Sequence, residues 1–440
     1  MKNIKRVNSP IKRNINTKSL KQADREYILK ALKSFSNKDA TLWIEQKKTI
    51  EWGSIEQLDR QYVVDAVAAS APNHCIDGWG FASRALSSIL VGDGHTARHL
   101  AYYAQLRAAL SILANLGVGI FNGTNFVINR NGNIIALDYG KENVGGRLGT
   151  HIIVWKALTE WSKNPISAEI FLNLIKIRGN SLFDCISAIY PSGSKIIAVE
   201  EMIRSWGVDL SGSKSEQMAR NISSYMPQLS NPLNSGLEGL KLVKDFWDLF
   251  ELGASHFDKI DLFLLRMILQ KQHHSIYNKA NYADGAIKER HNELPDNIKS
   301  AASIDFLTKQ GYDDYPFLIK EAKKNNKVKQ PTEMLARAFI LLRIATGFTQ
   351  SSFQESGILF NSSNRFSWLK SLIEMRGFFD ISNTNFERNY LWDDMEDALL
   401  DFEDSIDPIP GSMFEWMQKG ERGLPTISQA ERVGVWSLYV

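Results

Sequence analysis

The sequence predicts a mainly α protein, built from multi-helix bundles with one β-hairpin insertion at about residues 118–138. Three observations carry that prediction. Apolar residues recur at helical spacing along most of the 440-residue chain. A single hairpin signal, Arg130-Asn131-Gly132, separates short β-type runs. No repeat of fixed period is present, so a solenoid or propeller is not expected.

The elements follow in order. Met1 to about Lys18 reads as a flexible basic arm, and residues 1–50 hold 13 Lys/Arg against 4 Asp/Glu. Leu20, Ile28, Leu32 and Phe35 open a helical pattern, and Thr41–Trp52 alternates weakly. Ser54 is the expected N-cap of an amphipathic helix, Ser54–Ser70. Asp77–Leu90 and Gly94–Leu116 read as consecutive helices, separated by Gly92-Asp93-Gly94, with Gly117 ending the second. The runs Val118–Phe121, Asn125–Asn129 and Asn133–Asp138 supply the β part, and Thr150 is expected to cap a helix reaching Trp161. Helical patterns continue to Trp206, and a loosely patterned stretch fills Gly207–Gly236. Long helices are expected near Leu237–Leu252 and Ser255–Ile276, a polar linker near Asn278–Asn297, then a C-terminal bundle that includes Pro331–Thr346. The expected division is an arm (1–18), an N-terminal helical domain (19–206), a middle segment (207–285) and a C-terminal bundle (295–440).

Composition excludes several classes. With 44% hydrophobic and 23% charged residues, the chain is neither disordered, collagenous nor a coiled-coil rod. Cys75 and Cys185 are too few for a disulfide framework or a zinc–cysteine site and are expected as buried thiols. The apolar runs Leu262–Leu265 and Ala338–Leu342 fall short of the ~18 residues a membrane helix needs. The basic N-terminus lacks an apolar signal core, so a cytoplasmic protein without membrane contact is expected. Leu391–Pro410 holds eight acids and no base. The arm 1–18 and the acidic helix 391–407 are therefore expected to meet a protein partner or pair between copies, while the arm's charge equally suits an RNA backbone.

The stretch His95-Thr96-Ala97-Arg98-His99-Leu100-Ala101-Tyr102-Tyr103 carries the chemistry. At about 100° per residue, His95, Arg98, His99 and Tyr102 share one face of a helix. His151, at a helix start beyond the hairpin, is placed to add a third imidazole. A guanidinium grips phosphate with a fork of donors, and imidazoles near neutrality move protons. Together they are the parts of metal-independent RNA cleavage. Arg98, His99 and His151 are the expected catalytic groups, and His95, Tyr102 and Arg107 the expected substrate-binding groups. A buried polar network that only locks helices is the competing reading.

The pattern Thr96-Ala97-Arg98…Leu100…Tyr102-Tyr103…Leu106…Ala108, followed by Gly149-Thr150-His151, resembles the core of YaaC-like proteins, grouped with the HEPN superfamily. The likeness covers about Trp79–Trp161. It implies an all-helical bundle and a link to RNA or nucleotides of the kind found in bacterial toxin and antiviral systems, with ribonuclease activity among the outcomes. Active HEPN ribonucleases carry Arg, four to six residues, then His. That spacing occurs here from Arg266 to His273, whereas Arg147 and His151 are separated by three residues.

The leading expectation is thus a HEPN-like defence or toxin protein engaging RNA or a nucleotide, without cofactor or metal. A non-catalytic assembly subunit is the first alternative. A metal-dependent hydrolase on His95 and His99, at the i, i+4 spacing of two ligands, is the second. Glu45-Gln46-Lys47 is similar to a nuclease strand end, and Asn125–Asp138 to a kinase hairpin, but neither has the partner residues its chemistry requires. Gly140–Gly149 lacks the Lys-Ser/Thr of a P-loop.

Overall fold

The structure is a computed structural model. It describes residues 15–34, 59–121, 124–137, 148–190, 196–227, 233, 236–251, 257–277, 283–309, 311–358, 367–378, 388–407, 409–421 and 423–439. Most of the arm, Thr41–Trp52 with Glu45-Gln46-Lys47, Ser54, Asp138, and Gly140–Gly149 up to Arg147 lie outside the described residues.

The chain is mainly helical, as expected. Helix α1 (Glu26–Ser34) is followed by α2 (Arg60–Leu90), α3 (Gly94–Asn115), a small sheet of β1 (Val118–Phe121), β2 (Thr124–Ile128) and β3 (Ile134–Ala136), and α4 (Thr150–Ser162). Later come α5 (Ser213–Tyr225), α6 (Leu237–Leu249), α7 (Asp258–Tyr277), α8 (Pro331–Glu355), α9 (Arg388–Ser405), α10 (Met413–Gly420) and α11 (Glu431–Tyr439), with shorter helices between them. No helix among the described residues is long and apolar enough to cross a membrane.

Two helices expected before Leu90 are one. Asp59, not Ser54, caps α2 by accepting from the Gln61 N–H at 3.1 Å, and the helix runs through Pro72. The ring removes one backbone donor. Residues Ala66–Ile76 are all buried, so packing on nearly every side holds the helix together across that gap. The hairpin expectation holds and extends to a three-stranded antiparallel meander, with Val118 facing Val127 and Phe126 facing Ala136. Gly132 takes the left-handed conformation (φ 71°) that the β2–β3 turn requires. Thr150 is the first residue of α4 and not its cap; Gly149 occupies the cap position without a side-chain bond.

The centre is a three-helix layer of α2, α3 and α8. Helix α8 is buried over almost its entire length, and Gly78 sits where the three helices cross. A Cβ there would lie 2.7 Å from Leu342 Cδ2 and 3.4 Å from the Ala104 carbonyl oxygen, so any larger residue would require Leu342 to move. Trp79 is fully buried beside it, donates to Thr346 Oγ1 at 3.0 Å, and packs against Phe246, Phe250 and Phe339. One apolar core continues through residues of the N-terminal, middle and C-terminal segments. The arginines of α8 do not exit to solvent. Arg343 makes two 2.7 Å bonds to Asp261 of α7, and Arg337 pairs with Glu216 and Glu333. Cys75 and Cys185 are buried free thiols, both pushed up to about 12 by burial.

Candidate functional site

Helix α3 starts at a break after Gly92, and Asp93 caps it by accepting from the Thr96 N–H at 2.9 Å. Its first two turns are covered by α5. Ser223 and Ser224, adjacent on α5, receive three of the expected groups. His95 Nδ1 lies 3.2 Å from Ser223 Oγ, and Arg98 Nη1 donates to the same oxygen at 3.2 Å. His99 Nδ1 lies 2.6 Å from Ser224 Oγ.

The Ser224 hydroxyl donates its own hydrogen to the Arg220 carbonyl at 2.9 Å. It therefore accepts from His99, which places the imidazole proton on Nδ1 and leaves the lone pair on Nε2. The partly buried ring is held neutral: burial, and then the nearby Arg220 charge, push the His99 pKa below its usual 6.5.

His151 joins the same cluster from α4. Its Nε2 accepts from Arg220 Nη2 at 3.5 Å, because a guanidinium can only donate, so its Nδ1–H donates to Tyr102 Oη at 3.2 Å. The His151 ring stacks on Tyr102 at 5.6 Å, and Trp155 Nε1 donates to the Tyr102 oxygen at 3.4 Å. Burial and then Arg220 lower the His151 pKa as well. Burial raises that of Tyr102. Arg220 itself rests over the Tyr102 and Tyr103 rings, 5.4 Å from each.

Two buried cations dominate the electrostatics. Arg98 is 2% exposed and Arg220 7% exposed. Arg98 Nε and Nη2 and Arg220 Nε bond to nothing, and neither guanidinium forms an ion pair with a described carboxylate. Burial lowers the Arg98 pKa, with the more distant Glu333 only partly opposing it. A buried charge of this kind is costly unless an anion meets it.

Beside His151 a cleft of about 450 Å³ opens between α4 and the start of α5. Trp155, Ile152 and Leu210 form its apolar wall, and Lys156, Glu160, Lys214 and Gln217 its polar rim. His151 is the one expected site residue that lines it.

The structure thus brings His95, Arg98, His99, Tyr102 and His151 together. Arg107 stands apart. It donates to His74 Nδ1 at 2.9 Å and pairs with Asp77 at 3.6 Å. Arg266 and His273 are both core groups. Arg266 is enclosed by the rings of Phe263, Phe306 and Tyr315, and His273 is buried near Tyr190. The described residues contain no group of three or more His, Cys, Asp or Glu that could hold a metal, so His95 and His99 lack a further ligand there.

Sequence reasoning missed Arg220, Ser223, Ser224, Lys156 and Lys214. The signal lay in the stretch read as loosely patterned: Glu216, Arg220 and Ser223 fall on one helical face, and Met218, Ile222 and Tyr225 on another. Because the buried face is the polar one, an apolar stripe marks the wrong side. No family model matches the sequence, and neither the curated proteins nor the solved structures contain a match.

Proposed function

We propose that the protein is a cytoplasmic RNA- or nucleotide-binding protein, of the defence or toxin type that the HEPN-like resemblance implies, and that it takes a phosphate group at the His99–Arg220–His151 cluster. The observation that carries this reading is the pair of buried guanidiniums without a carboxylate partner among the described residues, set against two imidazoles with lowered pKa, of which His151 lines an open cleft. A phosphate in the cleft would meet His151 first, with the buried Arg220 and Arg98 adding their charge from behind it.

The same groups supply the proton transfers of RNA cleavage. His99 Nε2 takes the 2′-hydroxyl proton, the 2′-oxygen bonds to phosphorus, and the bond from phosphorus to the 5′-oxygen breaks. His151, protonated once a phosphate anion offsets Arg220, returns a proton to that oxygen. Arg98 and Arg220 stabilise the charge on phosphorus.

Titration of AMP and of a short RNA into the protein tests the binding. Both ligands should bind, and Arg220→Gln should weaken both by tenfold or more, in the range of about 1.5–3 kcal/mol for a charged hydrogen bond. RNA turnover that disappears in His99→Ala at unchanged melting temperature supports cleavage. Binding without turnover leaves a binding protein, and absence of binding to either ligand overturns the proposal.

A second reading, an assembly subunit, draws on a different observation. Helix α9 exposes Asp393, Asp394, Glu396, Asp397, Asp401 and Asp404, and α10 leaves Phe414 70% exposed. An acidic face beside an exposed aromatic suits a basic, apolar protein partner. Self-association that strengthens at low salt and is lost in Phe414→Ser would support it; a monomer under both conditions counts against pairing between copies.

A further inference from the structure

We infer that the exposed face of α9 and α10 seats the basic arm, residues 1–14, of a second copy of this chain. The inference rests on the assembly reading above and names the partner which that reading leaves open.

The face combines charge with apolar surface. Residues 391–421 hold ten Asp/Glu and one Lys. Among the described residues, Glu403 is the one acid of this stretch in an ion pair, with Lys244. Helix α10 turns Trp416 inward, where its Nε1 donates to the Leu90 carbonyl at 2.8 Å and its ring meets Phe402. Phe414 and Met417 lie away from that side and are exposed, as are Leu400 and Ile409. Exposed apolar groups set among carboxylates mark a contact surface. Carboxylates repel phosphate, so neither RNA nor an anionic membrane suits this face. It calls for a segment that mixes cations with apolar side chains.

The arm is such a segment. Lys2, Lys5, Arg6, Lys12 and Arg13 are interspersed with Ile4, Val7 and Ile11, and residues 1–14 contain no acid. The other lysine-rich run, 320–329, is already engaged. Lys324 pairs with Glu321, Lys329 donates to Asn325 at 2.6 Å, and Lys320 donates to the Asp313 carbonyl at 3.0 Å.

Geometry sends the arm to another copy. It leaves the body at Ile15, beside the sheet: the Asn16 N–H donates to the Leu137 carbonyl at 2.7 Å, and the Leu137 N–H to the Asn125 carbonyl at 2.9 Å. Strand β1 lies against Val67, since a Cβ on Gly119 would come within 2.9 Å of Val67 Cγ2. Val67 and Leu90 are 23 residues apart on α2, about 35 Å at about 1.5 Å per residue. Crossing the sheet recovers about 10 Å, two strand spacings. Ile11 stands four residues before Ile15 and reaches about 14 Å at full extension. Ile11, Lys12 and Arg13 therefore fall short of α10 in their own copy, and the whole arm can lie along the face only in a second one. Exchange of arms in both directions closes a two-fold dimer.

Sedimentation velocity on the full-length protein tests this. Wild type should self-associate in the micromolar range, and at least about tenfold more weakly when salt rises from about 0.05 M to about 0.5 M. Lys5→Glu with Arg6→Glu, and separately Phe414→Ser, should each weaken self-association by about tenfold or more. AMP binding should be unchanged in both. Mixed together, the two variants should associate again, because one retains the face and the other the arm. Asp401→Lys, at an exposed position, reads the same face should Phe414→Ser fail to fold. A mixture that stays monomeric overturns exchange between copies. Self-association untouched by Lys5→Glu with Arg6→Glu overturns the arm while the assembly reading stands, whether or not that variant loses RNA affinity. A wild type that stays monomeric at low salt overturns the arm and pairing between copies together.

Discussion

The Ser224 hydroxyl accepts a 2.6 Å hydrogen bond from His99 Nδ1 while donating to the Arg220 carbonyl. A surface serine on one helix thereby sets the tautomer of an imidazole on another. Ser224→Ala should release the His99 ring without disturbing the core, because Ser224 is exposed. The melting temperature should change by no more than the equivalent of about 0.5 kcal/mol, as for most surface substitutions. RNA turnover should fall by about tenfold or more, the scale on which a positioned general base contributes. Melting curves and single-turnover assays on the same preparation check both halves. A large loss of stability would assign Ser224 to structure instead.

Acid should weaken the fold through the same imidazoles. His99 and His151 both have folded pKa values below 6.5, first from burial and then from Arg220. A group whose folded pKa is depressed favours the folded state above its unfolded pKa, and that contribution is lost as pH falls through the folded value. Stability should therefore be constant above about pH 6.5 with respect to these groups and decline below it. Arg220→Gln removes one of the two causes, so both histidines should titrate closer to 6.5 and the decline should shrink. Histidine proton titrations by NMR, with thermal unfolding at several pH values, read this directly.

Much of the scaffold was legible because helices α3 and α8 announce themselves through dense apolar patterning, and the Asn131-Gly132 turn through its backbone requirement. The grouping of His95, Arg98, His99 and Tyr102 followed from helical periodicity alone. What covers them did not. Helix α5 turns its polar side inward, so Arg220, Ser223 and Ser224 look in the sequence like a solvated face. The fusion of two expected helices at Pro72 was hidden for the opposite reason: a local breaker was overruled by burial on all sides. Arg107 shares α3 with the cluster, but its position one turn beyond Tyr103 hands it to His74 and Asp77 of α2.

The Arg343–Asp261 pair should reveal itself through pH as well. Both groups are buried, and burial raises Asp261 to about 6 even with Arg343 bound to it. Arg343→Met leaves the carboxylate without its partner, and breaking a buried pair from one side costs about 3–5 kcal/mol. A raised carboxyl pKa favours the folded state fully below the unfolded value near 3.8, and that contribution is lost as pH rises through the folded value. The variant should therefore be close to wild type near pH 5 and increasingly unstable toward pH 8. The double change Arg343→Met with Asp261→Leu should recover most of the loss, which chemical denaturation at pH 5 and pH 8 would show.

Arg98 separates a functional cation from a structural lock. If the His–Arg–Tyr face existed only to hold α3 against α5, removing Arg98 would break that lock and lower stability. Its bonding argues the reverse: one 3.2 Å bond to Ser223, two nitrogens with no partner, and no carboxylate in ion-pair range among the described residues. A buried polar group left unsatisfied costs about 1–3 kcal/mol, and an apolar residue of similar length avoids that cost. Arg98→Met should therefore leave the melting temperature unchanged or raise it. The same variant should weaken AMP and RNA binding by about tenfold, through loss of a charge acting across a low-dielectric interior. Stability gained together with binding lost is the signature of a residue retained for its ligand. A variant that melts several degrees lower would instead make the whole cluster a hydrogen-bonded brace between two helices.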